Sequence, residues 1–369
     1  MGDRLNESAL AKLEIGRLNF QQLRFEPAIH ALTSASVKFE SLQLWEPLLD
    51  CKNILLRIFA ERDDQPSVQA IRQSLEELGQ KYGLKITARL KYTFGVAALL
   101  KGQNEESVSY FQDALQSALS QDRKEDMCYA ISGLSIAFIN MGKLPEALRE
   151  VYNLQVFFEV LDLPDLKIAT LLANAIVLRK LQRLDQALEV FQQAQELLRV
   201  RGNLYFQAHL NFSRALTLKQ FGNVEAARYL FEGVYQMIHP SNLKTLYRDC
   251  EIELRDLGYI GSDEYDLLLD IANNFCLEKE KGRVEFKSQN ILLDLMGMFA
   301  KNPGDILSKE IITQRLWGQR YDPEAHDNKI YVTIKRLRKL IEPDSDKPRY
   351  IFRAKSGYYL NKEVKVLCR

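Results

Sequence analysis

The stretch from Asn328 to Ile341, NKIYVTIKRLRKLI, sets two kinds of residue on opposite sides of one helix. At about 100° per residue, Ile330, Ile334, Leu337 and Ile341 fall in one narrow stripe and form its buried face. The other side carries Asn328, Val332, Lys335, Arg336 and Lys339, flanked by Tyr331 and Arg338. A solvated face accounts for the cations but not for a valine in their midst. Recognition of duplex DNA accounts for both. In a major groove Asn328 pairs with adenine, Arg336 with guanine, and Val332 meets a thymine methyl. Lys335, Arg338 and Lys339 suit phosphates, and Thr333, nearer the buried edge, reaches a phosphate through its hydroxyl.

The charge balance hides this end of the chain. The 369 residues carry 50 Lys+Arg against 49 Asp+Glu, a net charge of +1 that argues against nucleic acid if evenly spread. It is not evenly spread. Phe275–Arg369 holds 20 basic and 13 acidic residues, so it is +7 and the remainder is −6. Such asymmetry points to a nucleic-acid-binding end.

Other chemistry finds no footing. Five scattered cysteines form no CxxC pair, as expected of reduced thiols in a cytosolic protein rather than of a disulfide framework or zinc site. The four histidines lack ligand-spaced neighbours, and no P-loop, GxGxxG, HExxH or GxSxG occurs. No enzyme, metal or cofactor is expected. The opening MGDRLNESAL lacks the apolar core of a secretion signal, and no apolar run suffices for a membrane span.

The elements ahead of the basic end repeat. Small residues at Ala28, Ser67, Ser107, Ala147, Ala187 and Ala227 follow polar turns at steps of 39, 40, 40, 40 and 40. Twelve positions earlier lie Gly16, Leu55, Gly95, Ser135, Ala175 and Ala215, small in five of six; four positions later lie Leu32, Ile71, Phe111, Val151, Phe191 and Phe231. Gly102, Gly142 and Gly222 supply breaks between helices. Each unit therefore reads as two antiparallel helices. The pattern resembles the tetratricopeptide repeat over roughly residues 10–257, with units longer than the usual ~34 residues. In that respect it resembles units of some bacterial regulators whose solenoid senses a ligand or partner. The register puts Arg89, Tyr92, Tyr129, Asn140, Arg179, Lys180, His209, Phe212 and Lys219 on the concave face. Aromatics mixed with cations suit a peptide carboxylate or another anionic ligand; an ordinary solvated helix face is the other reading.

Beyond Ala272 the pattern changes. A hairpin around Lys281-Gly282 precedes a helix over Gln289–Lys301 ended by Asn302-Pro303-Gly304. Ser308 caps a second helix to Trp317, buried through Ile311, Ile312 and Leu316. A loop Gly318–Ala325, the helix Asp327–Ile341 and a closing β-hairpin follow. The residues NPGDILSKEIITQRLWGQRYDP, IYVTIKRLRKLIE and RYIFRAKSGYYL closely resemble the winged helix-turn-helix of OmpR/PhoB response regulators over about 85 residues. The resemblance implies base contacts from Val332 and Arg336 and backbone contacts from Thr333 and Arg338. It also implies a wing cation in the minor groove, here Arg353 or Lys355. The loop residues Gln319, Arg320, Tyr321 and Asp322 match a segment that can contact RNA polymerase. The leading sheet has room for two strands where the family usually has four.

The expectation is a mainly α protein: an α-solenoid of helical-hairpin repeats over 1–272 and a small C-terminal α+β winged helix over 273–369. Residues 1–274 show no strand–helix alternation, so phosphorylation of a receiver within them is not expected. The function expected is that of a bacterial cytoplasmic transcription regulator, nucleoid-associated when bound to double-stranded DNA. Its repeats would receive a protein, peptide or small-molecule effector, and RNA polymerase and a homodimer on tandem half-sites follow from the resemblance. A scaffold using the winged helix to dock a protein is the rival.

Overall fold

The computed structural model describes residues 2–257, 265–271 and 274–368. Their contacts divide the chain into two compact units, Met1–Cys250 and Glu251–Arg369. The boundary expected between residues 272 and 273 lies outside the described residues.

The first unit contains six helical hairpins. They are α1 (Gly2–Gln21) with α2 (Phe25–Ser41), α3 (Trp45–Glu61) with α4 (Gln65–Tyr82), and α5 (Ala88–Leu100) with α6 (Asn104–Ser120). Then come α7 (Lys124–Asn140) with α8 (Leu144–Phe158), α9 (Pro164–Lys180) with α10 (Leu184–Arg201), and α11 (Leu204–Gln220) with α12 (Val224–Met237). The helix α13 (Lys244–Asp256) runs on into the second unit. The small residues are where close approach demands them. Ala28, Ser107, Ala147, Ala187 and Ala227 are fully buried, as are Phe111, Val151, Phe191 and Phe231 one turn later. The second hairpin deviates: Ser67 is only half-buried, held by Asp64 as helix cap, and Val68 is buried beside it. That hairpin also has the short step and the large Leu55.

The turns share one backbone device. A left-handed residue recurs at steps of about 20 positions, with one step passed over between Gly142 and Gln182, at Leu23, Gln43, Asp63, Gly83, Gly102, Asp122, Gly142, Gln182, Gly202 and Gly222. Only the glycines among them signal it by residue type, because they take positive φ without steric cost.

Among its described residues the second unit holds two sheets and three further helices. Strands β1 (Leu267–Asp270), β2 (Phe275–Glu278) and β3 (Gly282–Glu285) precede α14 (Asn290–Lys301), β4 (Leu307–Ser308), α15 (Lys309–Trp317) and α16 (Pro323–Ile341). Then follow β5 (Ile351–Arg353), β6 (Gly357–Leu360) and β7 (Val366–Cys368). The first sheet has the order β3-β2-β1-β7 and the second β4-β6-β5. Four strands, not two, therefore stand in the leading sheet. One, β1, comes from an apolar run ahead of the hairpin, and β7 joins it in parallel from the far end of the sequence. The core gathers Leu292, Leu295, Met296 and Phe299 of α14, Ile312 of α15, the isoleucine–leucine stripe of α16, and Ile351 and Leu360.

Two local expectations are corrected. Ile311 is 46% exposed, while Ile312 and Thr313 are fully buried. Thr313 tolerates burial because its hydroxyl donates to the Lys309 carbonyl at 2.8 Å. The last helix starts four residues early, at Pro323, because Asp322 caps it by accepting from the Glu324 amide at 3.1 Å.

Candidate nucleic-acid interface

Helix α16 buries Ile330, Ile334, Leu337 and Ile341, each at most 1% exposed. Its opposite face presents Asn328, Val332, Lys335, Arg336 and Lys339 to solvent, with Tyr331 also exposed. Val332 is 45% exposed, an apolar side chain left in water among cations. Thr333 is half-buried and donates its hydroxyl hydrogen to the Lys329 carbonyl at 2.8 Å, which leaves its oxygen lone pairs as acceptors.

The orientation of this helix is fixed at both ends. At its start, the Lys309 ammonium bonds both carboxylate oxygens of Asp327, at 2.9 and 2.8 Å, and the Tyr321 hydroxyl donates to the same carboxylate. The bonds from Lys309 and then Tyr321 hold the Asp327 carboxyl below its usual range. His326 is buried, meets Gln319 Oε1 through Nε2 at 3.0 Å, and lies against Trp317. Lys329 sits 4.2 Å over the Trp317 ring. At its end, the Lys281 ammonium donates to the carbonyls of Lys339 and Leu340 at 3.2 and 3.1 Å, where a cation complements the helix dipole.

The wing is docked onto the same end. The fully buried Glu342 carboxylate accepts from the amides of Arg349, Tyr350 and Ile351 at 2.7 to 3.1 Å. Arg338 donates from Nε and one terminal nitrogen to the Ile351 carbonyl. Arg353 and Lys355 are both exposed, Arg353 at the end of β5 and Lys355 in the turn. The turn closes by a bond from the Ala354 amide to the Gly357 carbonyl, at 2.9 Å. Any Cβ at Gly357 would stand 2.0 Å from the Leu307 carbonyl oxygen, so the turn and β4 can approach this closely only at a glycine.

Of the four loop residues singled out, three serve the helix. Gln319 bonds His326, Tyr321 bonds Asp327, and Asp322 is the cap. Arg320 is exposed.

The concave-face residues divide more sharply. Arg89, Tyr92 and Tyr129 come together: the guanidinium lies 3.5 Å over the Tyr129 ring, and the two tyrosines meet edge-on at 5.5 Å. Arg89 is also committed to Asp126 at 2.9 Å and Glu125 at 2.8 Å, so it is not a free anion-binding cation. Phe212 packs on Phe231 at 5.6 Å and belongs to the hairpin interior. Asn140 and Lys180 are exposed at helix ends, and Arg179 and Lys219 are half-buried. Burial first, then Arg179, pulls the Lys180 ammonium below its ordinary value. The His209 ring lies tilted against Tyr205, centroids 4.8 Å apart, which brings in a group sequence reasoning missed: Arg57, Glu61 and Tyr205. The available signal was the Arg57–Glu61 pair, one turn apart in the otherwise apolar ILLRIFAE. Among the described residues no His/Cys/Asp/Glu group could hold a metal ion, and no helix is long and apolar enough to cross a membrane.

Residues 285–360 match the family model of the transcriptional regulatory protein C-terminal domain. The transcriptional regulatory protein YvrH of Bacillus subtilis (strain 168) is 38% identical over 60 residues, 16% of this chain and 24% of that protein. The match thus spans about a quarter of the length of that relative. Among solved structures, a Rap protein complexed with competence and sporulation factor superposes with a TM-score of 0.50. It has 13% identity and covers 91% of this chain and 93% of that one, a likeness of fold alone. The second unit carries an OmpR/PhoB-type winged helix, and the first is a tetratricopeptide-like repeat.

Proposed function

We propose that this chain is a transcription regulator whose winged helix binds promoter DNA through α16 and whose repeats receive the signal that controls it. The observation that carries the reading is the exposed Val332 between Asn328, Lys335, Arg336 and Lys339 on a helix held at both ends. Arg336 and Asn328 read base edges, Val332 meets a thymine methyl, and Thr333, Lys335, Arg338 and Lys339 hold phosphates. Arg353 or Lys355 enters the minor groove from the wing, and Arg320 is the loop side chain available to RNA polymerase.

The repeat region supplies control by a protein, peptide or small molecule. The Rap structure of similar fold was solved with a bound factor, which supports a ligand-receiving role for these repeats. A cytoplasmic location and a dimer on tandem half-sites complete the proposal. Control requires an effector that binds two states of the repeats unequally.

Duplex binding by the full chain tests the reading. Affinity should fall steeply as salt rises, and Arg336→Ala should erase the preference for one sequence over another. Binding that is absent, or insensitive to salt, would favour a scaffold that docks a protein instead.

A further inference from the structure

In a helical solenoid each repeat contacts its neighbours alone. The first unit breaks that rule. Gln21 Nε2 donates to Asp165 Oδ2 at 3.3 Å, and Gln22 Nε2 donates to the Gly202 carbonyl at 2.8 Å. The Asn242 amide donates to the Leu23 carbonyl at 2.8 Å, and the Lys244 ammonium lies 3.4 Å from Asp63. The superhelix therefore completes a turn and meets itself along a seam joining α1 and α3 to the later repeats.

At the centre of the seam stands Tyr205, in the first turn of α11 and 7% exposed. Asn203 fixes that turn by accepting from the Phe206 amide at 3.2 Å. The Tyr205 ring stacks on Phe20 of α1 at 5.3 Å and meets the tilted ring of His209 at 4.8 Å. Its hydroxyl donates to Glu61 Oε1 at 2.8 Å and accepts from the Arg57 guanidinium. Arg57 and Glu61 pair with each other at 2.9 Å, and Glu61 is 3% exposed.

Two properties suit this joint to opening. Across the seam the Tyr205 ring meets Phe20 and lies 5.5 Å from the Arg57 guanidinium; the other bonds named are polar and can be exchanged for water. Opening leaves Arg57 and Glu61 paired one turn apart on α3 but takes the Tyr205 hydroxyl from both. A gap too narrow to admit water leaves these buried groups short of a bond, and is worse than either end state. The joint is also wired inward. Asn53, one turn before Arg57 on α3, accepts from the Thr93 hydroxyl of α5 at 2.6 Å, and Thr93 bonds the Arg89 carbonyl at 3.2 Å. Arg89 in turn lies on Tyr129.

We propose that Tyr205, Glu61 and Arg57 form a clasp that closes the superhelical turn, and that the repeat region switches by opening it. The opening parts α1 and α3 from α10 and α11 and exposes the inner face to solvent. The assignment of that motion to signal reception rests on the function proposed above; the clasp itself does not.

Paired spin labels on the full chain test the clasp. Labels go at Glu14→Cys on α1 and Glu196→Cys on α10, both exposed, with Cys368→Ser removing the exposed native thiol. The parent should give one narrow distance distribution. Tyr205→Phe keeps the stack on Phe20 but loses the hydroxyl, and should add a longer-distance population of about 10% or more. Glu61→Gln should do the same. Identical distributions in the parent and both variants would overturn the clasp, and neither substitution removes enough packing to unfold the repeats. Because the readout is a distance within the repeats, failure of the clasp and failure of DNA binding are separately visible.

Discussion

The guanidinium of Arg338 straddles the carbonyl oxygen of Ile351, donating from Nε at 3.2 Å and from a terminal nitrogen at 2.8 Å. One side chain of α16 thus fixes the first strand of the wing. Glu342, one turn later, takes the neighbouring amides, so helix and wing are bonded to each other at two successive turns. A planar fork can do this and an ammonium cannot. Arg338→Lys should therefore weaken duplex binding by about 1–3 kcal/mol, with the salt slope nearly unchanged because the charge is kept. Lys339→Ala, which removes an exposed cation, should instead lower that slope by about 1. Anisotropy titrations across salt concentrations separate the two.

Val332 should set a preference at one base pair. If Val332 meets a thymine methyl as proposed, replacing it with Ala shortens that reach, and discrimination at that pair should fall, within the ~1–3 kcal/mol typical of a single mismatch. Affinity for random duplex should not change, since no phosphate contact is lost. Selection from a randomised duplex pool, compared between wild type and variant, measures this.

Phe111 fills a space that exists only because two helices lack side chains beside it. A Cβ on Gly133 would stand 2.4 Å from its ring, and one on Gly95 2.6 Å away. Gly133→Ala should destabilise the repeat region by about 1–3 kcal/mol through overpacking. Adding Phe111→Leu should recover part of the loss, which separates a clash from a helix effect, since alanine is the better helix former. Urea melts of wild type and the two variants give the comparison.

Much of this was legible in the chain because spacing reports on faces. The forty-residue step located every hairpin, and the stripe Ile330–Ile341 located the helix that presents Val332 and Arg336. Two kinds of feature escaped. The strands β1 and β7 pair in parallel across about 100 positions, and a short apolar run such as LLLD carries no mark of its partner. The Tyr205 clasp joins α3 to α11 through the curvature of six hairpins, a sum of small rotations that no local pattern encodes. Ile311 shows a smaller failure of the same kind. Its apolar character put it inside, whereas Thr313 is buried instead, its hydroxyl satisfied by the Lys309 carbonyl.

Thiol reactivity should mirror burial. Cys51, Cys128, Cys250 and Cys276 are buried and Cys368 is exposed. Burial pushes the Cys51 and Cys128 thiols up to about 11, so little thiolate is present at neutral pH even when they are transiently reached. Native protein should show one fast-reacting thiol with a maleimide or disulfide reagent, lost in Cys368→Ser, and the remaining four should appear only on denaturation.

His209 should make the repeat region acid-sensitive. Burial lowers its pKa below the ordinary 6.5; Glu61 opposes that shift and Arg57 adds to it. Its Nε2 is buried without a hydrogen-bond partner among the described residues, so a proton there gains no acceptor. Below pH 6.5 the unfolded chain takes up a proton that the folded one resists. The stability due to neutral His209 is therefore complete above pH 6.5 and declines as pH falls from there toward the folded value. Wild type should lose more thermal stability between pH 7.5 and 5.5 than His209→Gln, which keeps a polar side chain but cannot titrate. Parallel melting curves across that range would show the opposite, that the proton on His209 is not linked to folding of the repeats.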